Sequence, residues 1–228
     1  MKKRVLIIVE NMTLPLDRRV WQEATTLRDA GYQVCVICPK MKGLDTPYEN
    51  LEGVHIYRHA LPLEASGALG YLLEYGTALF WQSVLAWRIF FTRGFDVIHV
   101  CNPPDLMFIT ALWFLPLGKK LIFDQHDLCP ELFEAKFGGK GLGYRVMRCC
   151  ERLTFALAKV SIATNQTFRE VALTRGGMHP ENVFIVQSGP SLDQIGDVVP
   201  DKQYRKPQWQ HVLGYVGVMG NQDGVDVL

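Results

Sequence analysis

The chain has 228 residues, 48% of them hydrophobic and 21% charged, and a formal net charge of +1 at pH 7. These values describe an ordinary globular protein with enough sequence for a full core, and they exclude a disordered chain. A charge so near zero gives no reason to expect nucleic acid as a partner, although the clusters Lys2-Lys3-Arg4 and Arg18-Arg19 can meet an anionic ligand.

The opening Met1 to Val9 stretch places an apolar run of about five residues behind basic ones, where a secretory segment needs roughly seven to fifteen. It reads instead as a first strand, Arg4 to Val9. The loop that follows, Glu10 to Arg19, contains no glycine, so close approach to a pyrophosphate is disfavoured there, and with it a nicotinamide or flavin dehydrogenase. Asp17 is placed to cap a helix over Leu16 to Ala30, which stripes Val20, Ala24 and Leu27 on one side and stops at Gly31. Arg18 and Arg19 fall on its first turn, where cations oppose the helix dipole. An anionic ligand would explain that placement, and so would solvated surface charge.

Strand patterns follow at Gln33 to Cys38 and Val54 to Arg58. Cys35 and Cys38 sit three apart in a strand and point to opposite faces, which argues against a redox or metal pair. Ala68 to Phe91 is a long apolar helix near the length that spans a bilayer, but Glu74, Gln82 and Arg88 oppose insertion. Leu69, Leu73, Gly76, Phe80, Ser83, Trp87 and Phe90 share the face expected to pack inward. Glu74, Ala78, Trp81, Gln82, Leu85 and Arg88 share the other, where Trp81, Leu85 and Arg88 are candidates for contact with a membrane surface or partner.

Two strands carry the chemistry, Asp96 to Cys101 and Lys120 to Asp124. Each ends abruptly in polar residues and proline: Asn102-Pro103-Pro104-Asp105 after the first, Gln125-His126-Asp127-Leu128-Cys129-Pro130-Glu131 after the second. Buried parallel strands deliver functional groups to the carboxyl edge of a doubly wound sheet in this way. His126, flanked by Asp124 and Asp127, can hydrogen-bond a substrate while a carboxylate orients its ring, or can fasten a turn before a short helix at Pro130-Glu131. Asn102 is either a turn residue or a polar group facing the cleft.

A helix over Tyr144 to Ala158, striped by Val146, Cys150, Leu153 and Leu157, and strands at Lys159 to Thr164 and Asn182 to Gln187 complete the pattern. Strands alternating with helices imply a Rossmann-like, mostly parallel α/β sheet with helices on both faces. Asp193 to Gln210 reads as a linker. His211 to Leu228 reads as a strand, a turn bearing Gly217 and Gly220, and the start of a helix, a geometry that lets main-chain amides approach a phosphate. Such a piece cannot bury its own apolar faces, so the expected organisation is a first domain over 1–205 and a truncated second one over 206–228. Serine-hydrolase, Walker and paired metal-histidine motifs are absent from the sequence.

As an ordered set, these segments resemble the retaining, nucleotide-sugar-dependent family-4 glycosyltransferases of the GT-B fold. The set comprises the first loop and helix through Ala30-Gly31-Tyr32, the Asp96 to Asp105 and Asp124 to Glu131 segments, Thr164-Asn165, Gln187-Ser188-Gly189-Pro190, and Gly217 to Asp226. The resemblance implies two facing domains, with acceptor bound mainly by the first and a nucleotide-sugar co-substrate mainly by the second, and neither metal nor other cofactor. It assigns His126 to catalysis beside the donor sugar, and Asn11, Asp17, Arg18, Arg19, Asn102, Asp127 and Glu131 to the acceptor. Gly217 and Gly220 fall to the donor diphosphate.

The departures from the family pattern are the glycine-free first loop, Gln-Ser-Gly-Pro where Asn-Gly is common, and the lack of any glutamate pair separated by seven residues. The resemblance therefore implies the acceptor half of a hexosyltransferase that builds surface polysaccharide from a lipid-linked or glycan acceptor. It would be cytoplasmic or peripheral on the inner membrane face, and inactive as this fragment alone. The alternative is a non-catalytic acceptor- or lipid-binding module that needs a separate donor domain.

Overall fold

A computed structural model of the chain describes residues 3–61, 67–189, 208–212 and 214–216. Its contacts divide the chain into Met1–Gln187 and Ser188–Leu228. The first unit is built on an eight-stranded sheet. In chain order the strands are β1 Arg4–Val9, β2 Gln33–Pro39, β3 Tyr48–Leu51, β4 Val54–His59, β5 Val97–Cys101, β6 Lys120–Gln125, β7 Val160–Ala163 and β8 Val183–Ile185. Their spatial order is β3-β4-β2-β1-β5-β6-β7-β8, parallel except for the β3 to β4 hairpin. Seven of the strands stand where the sequence pattern puts them.

The extra strand, β3, has alternating exposure and only four residues. Its hairpin closes through Glu52 and Gly53, with φ of 48° and 86°, the paired positive values of a turn whose twist matches the flanking strands.

Among the described residues, six α-helices accompany the sheet: α1 Arg18–Asp29, α2 Gly67–Thr92, α3 Phe108–Leu112, α4 Cys129–Phe137, α5 Leu142–Leu157 and α6 Gln166–Thr174. The strand period of two divides the core into layers. Val5, Ile7 and Val9 face α1 through Val20 and Ala24. Leu6 and Ile8 face the other side, with Ala86 and Ile89 of α2 and Phe155 of α5. Cys35 and Cys38 lie in opposite layers, and burial raises both thiols above their ordinary range, which leaves them as core residues.

Two helix faces differ from the pattern reading. In α2, Ala78, Gln82, Ala86 and Ile89 are buried, whereas Leu73 and Phe80, expected inside, are each 61% exposed. The small side chains Ala78 and Ala86 bring the helix close to the sheet and turn the large ones outward. Trp81 and Arg88 are exposed as expected, but Leu85 packs against the core. In α5, Val146 and Leu153 are exposed while Glu151 and Thr154 are buried. Thr154 donates its hydroxyl to the carbonyls of Cys150 and Asp105, and one oxygen of Glu151 meets Arg175, so both polar residues have partners inside. Among the described residues, no helix is long and apolar enough to cross a membrane.

In the second unit, the described residues from 208 onward carry no strand, and Val212, Tyr215 and Val216 are exposed. The strand expected from His211 is not formed among the described residues. Gly217 and Gly220 lie outside the described residues, as does nearly all of the expected linker.

Candidate functional site

The chain leaves β1 for β2 on one side and reaches β5 on the other, so the strand order reverses between β1 and β5. Open α/β sheets form a ligand crevice at such a point, at the carboxyl ends of the strands. The register sets Val9 beside Cys101 and Cys101 beside Asp124. Glu10, Asn102 and His126 consequently emerge as neighbours along one edge.

Asn102 is buried and uses both ends of its amide. Its Oδ1 accepts from the backbone N–H groups of His126 (2.6 Å) and Asp127 (3.1 Å), while Nδ2 donates to Asp105 Oδ1 (2.7 Å) and the Asp127 carbonyl (2.8 Å). It stands behind the His126 loop as its anchor, and both ends of its amide are engaged there.

Asp105 has one oxygen without a partner, and burial with the nearby Glu151 charge pushes its carboxyl up to about 7. Folded and unfolded chains are both protonated there below about pH 3; as pH rises from there to 7 the unfolded chain ionises first, so stability falls. Asp105→Asn is expected to remove about 3 kcal/mol of that decline, read as a smaller difference in urea-unfolding free energy between pH 4 and pH 7.5. Glu10 and Glu23, also raised to about 7, keep a residual slope of the same sign.

The centre of the site is Asp124, fully buried at the end of β6. It accepts from Arg19 Nη2 at 2.8 Å and Nε at 3.3 Å, and from His126 Nε2 at 2.7 Å; His99 Nε2 lies 3.4 Å away. Arg19 also contacts Glu23 (3.2 Å), one helical turn on, and donates to the Val186 carbonyl (2.8 Å). The hydrogen bonds and charges of His126 and His99 outweigh burial and hold the Asp124 carboxyl well below its ordinary range. Burial raises Glu23 to about 7, against the pull of His99, which lies 3.6 Å away. The His99 imidazole is raised in turn: its two carboxylate neighbours overcome its burial.

Glu23, His99, Cys101 and Asp124 bring one ligand-type atom each within 4.8 Å of one another, a donor set that suits zinc. The Arg19 guanidinium, however, already occupies the cation's place between the two carboxylates, and burial holds the Cys101 thiol protonated.

The other expected site residues separate by role. Asp17 caps α1, its side chain accepting from the Val20 N–H at 3.0 Å. Arg19 turns inward while Arg18 stays exposed, as does Asn11 in the first loop. Asp127 is half-buried beside His126, and burial raises its carboxyl. Glu131, on the first turn of α4, is bound through both oxygens by Arg175, which also reaches the buried Glu151 at 2.5 Å.

The pattern reading missed Glu23, His99, Arg175 and Glu10. Glu10 is 5% exposed at the end of β1, with one oxygen unpartnered and its carboxyl raised by burial and by Glu74. His99 carried a signal, a polar residue inside a strand that the periodicity marks as buried, whereas Arg175, beyond the end of α6, carried none.

Comparison with known proteins places this edge in a family. Solved structures of similar fold include sucrose-phosphate synthase from Thermosynechococcus elongatus (TM-score 0.62, 15% identity, 84% of this chain and 49% of that one). The glycotransferase of kitacinnamycin aligns at TM-score 0.54 and 10% identity over 94% of this chain and 60% of that one. The chitobiosyldiphosphodolichol beta-mannosyltransferase of Candida glabrata is 24% identical over 197 residues, 83% of this chain, which spans 43% of that relative's length. The model of Glycosyltransferase Family 4 matches residues 16–194, a stretch that holds α1, the Asn102 anchor and the Asp124 to His126 pair. This chain, whose parallel sheet carries those groups on its carboxyl edge, therefore belongs to Glycosyltransferase Family 4.

Proposed function

We propose that the chain is the acceptor-side half of a hexosyltransferase that moves a sugar from a nucleotide-sugar to a lipid-linked glycan, with retention at the anomeric carbon, in surface polysaccharide assembly. The observation that carries this reading is His126, held at the carboxyl edge by the buried, ionised Asp124 in a Family 4 chain. The diphosphodolichol-linked acceptor in the relative's name supports the acceptor class.

His126 hydrogen-bonds the donor sugar beside the reacting carbon. Asn11, Arg18 and Asp127 line the acceptor side, where Arg18 offers a free-standing cation for its phosphate. Gly217 and Gly220 approach the donor diphosphate with main-chain amides, and the helix dipole behind them stabilises the departing charge. The nucleotide-sugar is a co-substrate, and no other cofactor enters this reading.

Product stereochemistry tests the reading, because the relative's name specifies a beta linkage. From an α-configured nucleotide-sugar, an α-glycoside in the proton spectrum supports retention, and a β-glycoside replaces it with inversion.

A peripheral membrane position on the inner face belongs to the same proposal. Leu73, Phe80, Val84 and Phe91 fall on one line of α2 and are 61%, 61%, 42% and 77% exposed, with Trp81 beside them at 40%. Arg88 is exposed on this helix, Arg93 follows it, and Lys119 lies 5.4 Å above the Phe90 ring, so the apolar line has a basic rim. Arg88, Thr92 and Arg93 also line, with Tyr48 and Tyr57, an open hollow of about 390 Å³. An apolar stripe with a basic border suits an anionic bilayer surface. The double variant Phe80→Asp/Phe91→Asp is expected to weaken co-sedimentation with phosphatidylglycerol vesicles at least tenfold; equal binding by the two proteins would remove α2 as the contact.

A further inference from the structure

We propose that Asp124 is a positioning residue for His126: it holds the imidazole in the tautomer protonated on Nε2, leaving Nδ1 as the acceptor for a hydroxyl of the bound sugar. The inference rests on the reading of His126 as the residue beside the donor. It goes further by naming the nitrogen that meets the ligand and the groups that choose it.

An ionised carboxylate only accepts hydrogen bonds, so the 2.7 Å contact between Asp124 Oδ2 and His126 Nε2 requires the proton on Nε2. Arg19 pairs both oxygens of Asp124, Nη2 with Oδ1 and Nε with Oδ2, and His99 approaches Oδ2 from β5. Glu23, the remaining charged neighbour on α1, faces Arg19 and His99. The main chain of His126 is pinned separately, its N–H donating to Asn102 Oδ1 at 2.6 Å, so the ring is fixed at both its root and its far nitrogen. Among the described residues Nδ1 has no hydrogen bond, and the side chain keeps 13% exposure, enough for a ligand to reach it. A neutral ring protonated on Nε2 presents a lone pair at Nδ1, which accepts from a sugar hydroxyl.

The arrangement also explains why a buried ion pair lies beneath an exposed loop. A carboxylate behind an imidazole fixes its tautomer, and the corresponding amide reverses it. In Asp124→Asn the amide oxygen turns to Arg19, and its NH₂ group faces His126 Nε2, which must then accept.

Long-range nitrogen–proton correlation spectra of the 228-residue chain at pH 8.5 test this directly, with the His126 signals identified by their loss in His126→Asn. The wild-type ring is expected to show the Nε2–H pattern, and Asp124→Asn the Nδ1–H pattern. An Nδ1–H or doubly protonated ring in the wild type overturns the proposal, whether or not the variant folds, as does an unchanged tautomer in folded Asp124→Asn. The spectrum requires no activity: the expected tautomer in a protein that transfers no sugar leaves the positioning intact and removes the transfer reading instead.

Discussion

Replacing His126 with alanine is expected to lower glycosyl transfer on the order of 100-fold or more in a transferase that joins this chain to a donor-binding half. The loss should fall on kcat more than on KM if, as proposed, the group acts beside the reacting carbon while the acceptor is held elsewhere. The fold should survive. Asn102 holds the loop through the backbone N–H of His126, which alanine keeps, and Arg19 continues to pair Asp124. A fall in Tm of only about 3 °C is therefore expected, the equivalent of about 1 kcal/mol in a chain of this size. An unchanged kcat would remove His126 from the mechanism, whereas a collapse of Tm would show that it serves the fold.

The largest effect on stability is expected at Arg175. Its guanidinium follows α6 and joins Glu131 of α4 to Glu151 of α5, so a single side chain ties three helices beside the candidate acceptor wall. Glu151 is 1% exposed and its carboxyl is raised by burial even with Arg175 present. Arg175→Ala strands that acid, and breaking a buried pair in this way costs about 3–5 kcal/mol. The measurement is urea unfolding at pH 7.5. Glu131→Gln should cost far less, since Glu131 keeps 42% side-chain exposure. Adding Glu151→Gln to Arg175→Ala should restore part of the loss by removing the stranded charge. If the single variant is as stable as the wild type, the clamp carries no stability.

Much of the fold was legible because its signals are local. Val-Leu-Ile-Ile-Val in β1 and Val-Cys-Val-Ile-Cys in β2 are apolar on both faces, the mark of a covered parallel sheet, and Asp17 with Gly31 brackets α1 at its two ends. The failures arise where packing overrides pattern. The short edge strand β3 is specified by its pairing with β4. The faces of α2 and α5 follow the closest approach of small side chains and the burial of a paired glutamate, and a hydrophobic count sees neither.

The site divides in the same way. Asp124 and His126 are adjacent in sequence and announce themselves at a strand end. Arg19, Glu23 and His99 join them only through the register of β5 with β6 and the rotation of α1, which also decides that Arg19 turns inward while Arg18 stays out. Asn102 was visible as a candidate, but its neighbours across the loop show it as an anchor.

In the proposed function this Family 4 chain supports sugar transfer to a lipid-linked acceptor through His126. The most direct test is transfer from a panel of UDP- and GDP-sugars to a membrane-lipid extract, comparing the chain alone, the chain joined to a donor-binding half, and the joined form carrying His126→Ala. A labelled glycolipid is expected from the joined protein, with the signal reduced at least about 100-fold by the substitution. Labelling at the same rate with and without His126 would contradict it, as would a folded joined protein that binds a nucleotide-sugar and glycosylates no lipid.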